Sequence, residues 1–289
     1  MNVIQQHIVK ETPKSIRLQE YAVNLFDEIP TKSALKKAIK KKQLLVNGKQ
    51  ATTAHFVQRN DVIELLEPKL GQQKIFHLKL KVLWEDDYLA VIEKPAGIAV
   101  SGNKFATIVN ALVEHIQPSS QKDAIQAIPV HRLDHPTSGC LLIAKTAKAN
   151  RELHQLFETQ KIRKLYHAVT VGEMKKNGGD LTWDVDDKKA FTHYHVLESI
   201  SSERFGALNL VELHPTTGRK HQLRQHLKAL GNPILGDKKY YLEEKRHQGN
   251  GLYLHATALE LIHPVTQEKL KIQAGLPKKI TRLFPGILK

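Results

Sequence analysis

The feature that most restricts the fold is the succession of short strand-like segments in the C-terminal two thirds of the chain. Residues 164–172, KLYHAVTVG, alternate between two faces, and 191–199, 205–213, 257–263 and 268–273 also read as strands. The last two are joined by a turn at Pro264-Val265-Thr266-Gln267. Upstream, VLWEDDYLAVIEKPAG offers short strands around an acidic turn and ends in Lys94-Pro95-Ala96-Gly97. Residues 147–160 place Leu153, Leu156 and Phe157 at helical spacing. Neighbouring strands with few helices between them predict an α+β fold whose sheet is mixed and largely antiparallel, with flanking helices, not a doubly wound parallel one. Internal repeats, a glycine-rich phosphate loop and a dinucleotide fingerprint are all missing from the sequence.

The N-terminal region has a different pattern. Residues 31–42, TKSALKKAIKKK, carry six lysines and no acid, with Leu35 and Ile39 spaced as an apolar helix stripe. Lys36 with Lys40, and Lys37 with Lys41, then share neighbouring polar faces, a repulsive arrangement that a polyanion would offset. Asn47-Gly48 after the apolar LLV marks a hairpin, and 61–66, DVIELL, a closing strand. A basic helix followed by a hairpin resembles the small α/β RNA-binding module shared by a ribosomal protein, tyrosyl-tRNA synthetases and many pseudouridine synthases. Arg17-Leu18, Ser33, Lys37, Ile39, Val46-Asn47-Gly48 and Asn60-Asp61-Val62-Ile63 carry the likeness. The chain departs from that pattern at Gln19, where Asp is usual, and at Asn60, where Gly is usual; Asn tolerates the left-handed turn required there. Residues 1–67 are therefore expected to form the module, 68–76 a Pro- and Gly-containing linker, and 77–289 a larger domain.

Composition narrows the partners. A formal charge of +15 draws the chain towards RNA or DNA, although a solvated lysine-rich surface has the same signature. A single cysteine, Cys140, excludes an internal disulfide framework and fits a reducing cytoplasm. Neither a signal peptide nor a membrane span is evident, so a cytoplasmic monomer with no membrane partner is expected. Sixteen histidines invite a metal reading, but His193 and His195 lack a carboxylate or cysteine at ligand spacing, and no metal site is expected.

The stretch 129–146, PVHRLDHPTSGCLLIAKT, concentrates the chemistry. By residue type alone, Asp134 opens a turn rich in Pro, Thr, Ser and Gly, and CLLIA is an apolar strand leaving it. Asp134 is then either a turn cap or a reactive carboxylate. His131-Arg132-Leu133-Asp134 followed by Thr137-Ser138-Gly139 resembles the signature loop of RluA-family pseudouridine synthases. WEDDYLAVIEKPAGIAV, KLYHAVTVG, HPTTGRKHQLRQHLKALGNPILGDKKY and LYLHATALELIHP resemble further motifs of that family, in order over most of 80–265. The resemblance implies a cofactor-free isomerase that detaches uracil from its ribose, turns it and rejoins it through carbon.

That chemistry gives each motif residue a role to set against a bland alternative. Cleaving a glycosidic bond builds positive charge on the sugar, which a carboxylate at Asp134 would stabilise or capture. Water must be kept out, since it would hydrolyse the sugar before the base returned. A guanidinium partner would keep a desolvated carboxylate charged. By its match to the family's Thr-Gly-Arg, Arg219 is the expected partner, with Arg224 the second choice. Arg219 would open a helix with Leu223, Leu227 and Leu230 as its buried stripe and Lys220, Arg224 and Lys228 as a basic ridge for phosphates. Tyr166 is either a plug in the sheet or, as the resemblance implies, a ring that stacks on uracil and takes a proton from carbon. Arg132 is either in a structural ion pair or holds a flipped nucleotide. His131 is expected to order the RNA-binding loop. The resemblance makes the partner RNA, with ribosomal RNA expected ahead of transfer RNA. The rival reading is a non-catalytic RNA-binding or ribosome-assembly protein retaining the fold.

Overall fold

The computed structural model describes residues 3–11, 15–26, 29–67, 75–241, 243 and 251–288. The chain forms two compact units, 1–73 and 74–289. Most of the expected linker, residues 68–74, lies outside the described residues.

In the first unit, strand β1 (Val3–Ile8), helix α1 (Leu18–Tyr21), helix α2 (Lys32–Lys40), β2 (Leu44–Val46), β3 (Lys49–Gln50) and β4 (Val62–Leu66) form a four-stranded antiparallel sheet with helices against it. Helix α2 starts where Thr31 accepts a bond from the Ala34 amide at 3.1 Å, an N-cap that satisfies a free donor of the first turn. Leu35 and Ala38 are buried on its inner face, while Lys36, Lys37, Lys40 and Lys41 are exposed. The hairpin falls where Asn47-Gly48 predicts it, with φ of 52° and 72°. Asn60 adopts φ 71°, the left-handed turn anticipated for it. Asn47 also ties the hairpin to β4, donating to Asp61 Oδ1 at 2.7 Å and accepting from the Val62 amide at 2.8 Å.

The second unit is a mixed α+β domain. Its elements are β5 (Lys81–Glu85), β6 (Leu89–Lys94), α3 (Ile108–Ala111), β7 (Ala124–Pro129), β8 (Ser138–Thr146), α4 (Ala147–Glu158), β9 (Arg163–Val171), β10 (Gly178–Leu181), β11 (Thr192–Ser202), β12 (Gly206–Pro215), α5 (Gln222–Ala229), β13 (Leu254–Ile262), β14 (Lys269–Gln273) and α6 (Lys278–Thr281). The sheet runs β10-β11-β12-β9-β13-β8-β6-β5, with β14 on β13 and β7 on β8. Strands β13 and β8 pair in parallel, through His255 with Ser138 and Ala256 with Gly139, and the other pairings are antiparallel. The mixed, largely antiparallel sheet predicted from strand spacing is therefore present.

Burial explains why CLLIA is apolar without alternation. Leu141 and Ile143 face one core with α3, whereas Cys140, Leu142 and Ala144 face another with Leu153 of α4. A strand covered on both sides needs apolar residues at every position. Gly139 stands at the crossing with β13: its φ is +116°, and a Cβ there would lie 2.1 Å from the Ala256 carbonyl oxygen. Helix α5 covers a third cluster through Leu223 and Leu227, with Leu230 packed at its edge.

Candidate active site

The loop between β7 and β8 carries Asp134. A turn closes behind it, the Thr137 amide donating to the Asp134 carbonyl at 3.0 Å, as the turn formers in the sequence anticipate. Beneath the loop lies Lys94, the last residue of β6 and wholly buried. Its ammonium donates to the carbonyls of Pro95 at 2.8 Å, Thr137 at 2.7 Å and His135 at 3.3 Å. Burial lowers its pKa to about 8, with Asp134 pulling the other way. Two carbonyls of the loop, both just after Asp134, thus converge with that of Pro95 on one cation, which anchors the loop on the C-terminal side of Asp134.

The Asp134 carboxylate opens on a cleft of about 620 Å³ lined by the 130–137 loop, the end of α4, β9 and the segment 215–224. Its guanidinium neighbour is Arg224, whose Nη1 lies 3.4 Å from Asp134 Oδ2. Arg224 is itself held by Asp237, which accepts from Nε and Nη2 at 2.7 Å each. Asp237 is fixed in turn by the amides of Lys239 and Tyr240, at 2.9 and 3.0 Å. Burial disfavours the guanidinium charge, but the Asp237 bonds and charge, followed by Asp134, outweigh it and raise the Arg224 pKa. On the other oxygen, His221 Nε2 stands 3.6 Å from Asp134 Oδ1, and its Nδ1 is 2.9 Å from the Tyr240 hydroxyl. With the phenol donating to Nδ1, the ring proton sits on Nε2 and faces the carboxylate. Burial, opposed by Asp134, lowers the His221 pKa and keeps the ring neutral.

This geometry corrects the expected partner. Arg219 is exposed, and its Nε donates to the Lys189 carbonyl at 3.1 Å. Helix α5 begins at Gln222, after His221 adopts a left-handed φ of 58°, so Arg219 belongs to the preceding loop and does not open the helix. Helix phase then turns Arg224 inward, 6 % exposed, and the expected ridge of Lys220, Arg224 and Lys228 loses its middle member. Gln222 organises the loop: its Oε1 accepts from Thr217 Oγ1 at 2.8 Å and the Arg219 amide at 3.0 Å. Its Nε2 donates to Phe191 O at 2.9 Å and Thr192 Oγ1 at 3.0 Å.

Tyr166 of β9 lines the same cleft, and burial followed by the charge of Asp134 pushes its phenol well above the usual range. His131 does not offer a charge to RNA. Its Nε2 accepts from the Leu142 amide at 3.0 Å, and its ring lies 4.9 Å from that of Phe157. Burial, with Lys164 adding, holds its pKa down at about 3. Arg132 is exposed on the rim and makes no ion pair among the described residues, unlike the structural reading of it. Lysines 36, 37, 40 and 41 belong to the first unit. Sequence reasoning missed the parts played by Asp237 and His221. Asp237 is thirteen residues from Arg224, and no local pattern pairs them.

Residues 88–229 match the family described as RNA pseudouridylate synthase. The chain is 33 % identical to the ribosomal large subunit pseudouridine synthase C of Rickettsia conorii, over 94 % of this chain and 97 % of that one. It is 29 % identical to the protein of the same name from Vibrio vulnificus, over 94 % and 92 % of the two chains. The solved structure of human RNA pseudouridylate synthase domain containing 4 superposes with a TM-score of 0.56 and 29 % identity, covering 70 % of this chain and 90 % of that one. With that likeness extending along nearly its whole length, the chain belongs to the RluA-like family of RNA pseudouridine synthases, enzymes that isomerise uridine.

Proposed function

We propose that the RNA isomerised is ribosomal RNA of the large subunit, and that Asp134 is the carboxylate acting at the ribose. The names of the relatives support the substrate. The observation that carries the site is the chain Asp134–Arg224–Asp237 on the wall of a cleft that also holds Tyr166. A carboxylate 16 % exposed, with a guanidinium on one oxygen and a neutral imidazole facing the other, is oriented and kept apart from bulk water. It can then meet the positive charge that develops on the sugar as the base departs.

Tyr166 supplies the flat surface on which a freed uracil can stack while it turns. Its raised pKa keeps the phenol protonated and leaves little phenolate to accept a proton, so stacking is the role best supported. Arg132, exposed and without an ion-pair partner among the described residues, can hold the nucleotide once it has left its stack. The first unit adds affinity: the exposed Lys36, Lys37, Lys40 and Lys41 project from one short helix as a patch for phosphates.

The test is to map pseudouridines in large-subunit RNA from cells lacking the gene, then restore wild type, Asp134→Ala or Asp134→Asn. Sites are expected to return with wild type and to stay absent with either variant, while RNA affinity in vitro is little changed. Conversion by either variant at the wild-type rate removes Asp134 from the reaction. Unaltered large-subunit sites in the deletion strain remove the proposed substrate.

A further inference from the structure

Lys164 is a half-buried cation that the reaction as described does not use. It stands two residues before Tyr166 on β9, so strand alternation puts both side chains on one face, and both line the cleft. Its Nζ donates to the Thr217 carbonyl at 3.1 Å. An ammonium has three donors, so two remain after that bond.

The buried lysine and arginine side chains of this domain, by contrast, are compensated. Arg224 has Asp237 and Asp134, Lys145 has Glu85 at 2.7 Å, and Lys94 has three carbonyls. Lys164 makes no ion pair among the described residues, and the cleft's other acid, Glu158, makes none with it. Burial lowers its pKa to about 8 with no carboxylate pulling it back, in contrast to Lys94, which feels Asp134. Removing a charge from water without a counter-charge is costly, and the fold leaves that cost standing at a cleft wall. Beside Thr217, a Cβ built on Gly218 would meet nothing within 4 Å, so the neighbouring space is open.

We propose that Lys164 binds a backbone phosphate flanking the target uridine, taking a non-bridging oxygen while the ring lies on Tyr166. The proposal rests on the cleft being the uridine site. A phosphate fits better than a uracil carbonyl because only an anion balances the half-buried charge. By this contact the strand is pinned beside Thr217 on the cleft wall, and the ribose is presented to the carboxylate.

The test reads binding, so it is separate from the role of Asp134. A short RNA containing a uridine that the wild-type protein converts is bound by wild type, Lys164→Met and Lys164→Arg over a range of salt concentrations. Lys164→Met is expected to weaken binding about tenfold and to flatten the salt dependence by roughly one released counterion, with Lys164→Arg keeping the wild-type slope. The same RNA is then made with one neutral methylphosphonate linkage, 5′ or 3′ of the uridine. At the contacted linkage, wild type should fall to the level of Lys164→Met and the variant should lose nothing further. Equal slopes for wild type and a folded Lys164→Met, or equal losses for both proteins at each neutral linkage, would overturn the proposal. Melting curves identify a misfolded variant, and in that case the methylphosphonate arms on wild type and Lys164→Arg decide: no loss at either linkage overturns it. Intact Lys164→Met binding alongside an inactive Asp134→Asn refutes the phosphate contact alone.

Discussion

Arg224 and Asp237 are joined by two 2.7 Å hydrogen bonds, from Nε and Nη2, which leave Nη1 of the same guanidinium to reach Asp134. The carboxylate of Asp237 is fully buried, so this pair is formed away from solvent. Its function is to aim Nη1: a guanidinium gripped along one edge has its remaining nitrogen fixed in direction. Tyr240 closes the other side, its ring 5.0 Å from the guanidinium carbon and its hydroxyl on His221. Both neighbours of Asp134 are therefore set by one short segment, 237–240.

Replacing Asp237 tests that aiming. Asp237→Ala leaves a buried guanidinium without its main counter-charge, which typically costs about 3 kcal/mol. Pseudouridine formation should fall by roughly 10²-fold through misplacement of Arg224. Denaturant unfolding and single-turnover assays on the folded fraction separate the two effects. Full activity in a folded Asp237→Ala would show that Arg224 needs no anchor.

The two arginines of the Thr-Gly-Arg segment should behave differently. Arg224→Lys cannot reproduce the fork to Asp237 together with the reach to Asp134, so turnover should drop roughly 10²-fold. Arg219→Ala removes one exposed bond to a backbone carbonyl and should leave the rate of the chemical step within about threefold. Single-turnover rates at saturating enzyme compare them directly, and the opposite ranking would restore Arg219 as the partner.

Gly139 is predicted to tolerate no side chain. Gly139→Ala places a methyl 2.1 Å from the Ala256 carbonyl oxygen at a φ of +116°, so β8 and β13 must separate at their parallel junction. A loss of about 3 kcal/mol or more is expected, read as a lower denaturant midpoint. A wild-type midpoint would mean that the junction yields at little cost.

Stability should fall as acid is added, in part through His255. This ring is wholly buried, and burial, with His167 adding, lowers its pKa to about 4. The unfolded chain takes up the proton near pH 6.5, but the native state does not until about pH 4. Between those values the unfolded state binds more protons, so His255 contributes a loss of roughly 1.4 kcal/mol for each unit the pH falls. Above pH 6.5 its contribution is complete and flat. Chemical denaturation from pH 7.5 to 4.5 should give a shallower slope for His255→Gln than for wild type, and identical slopes would contradict the assignment.

Much of this protein was legible in its residues because the relevant physics was local. The strand-like KLYHAVTVG, the Asn47-Gly48 turn and the Leu35–Ile39 spacing report preferences over a few positions, and β9, the hairpin and α2 form there, although 167–171 of β9 are buried at every position instead of alternating. Asp134 was visible for the same reason, since its turn and the strand behind it are contiguous.

The identity of its partner was not visible, because that depends on helix phase. Arg219 and Arg224 are five residues apart, and sequence places both near a helix start. A left-handed His221 begins α5 at Gln222, which leaves Arg219 outside and turns Arg224 into the wall. Lys94 and Asp237 meet the site from other strands and loops, 43 residues from Thr137 and 13 from Arg224. The sequence by itself determined which elements form and that a lone carboxylate stands on a turn between two strands. Only the tertiary structure decided which charges face it, because the sheet order and the first residue of one helix bring together groups that no sequence interval relates.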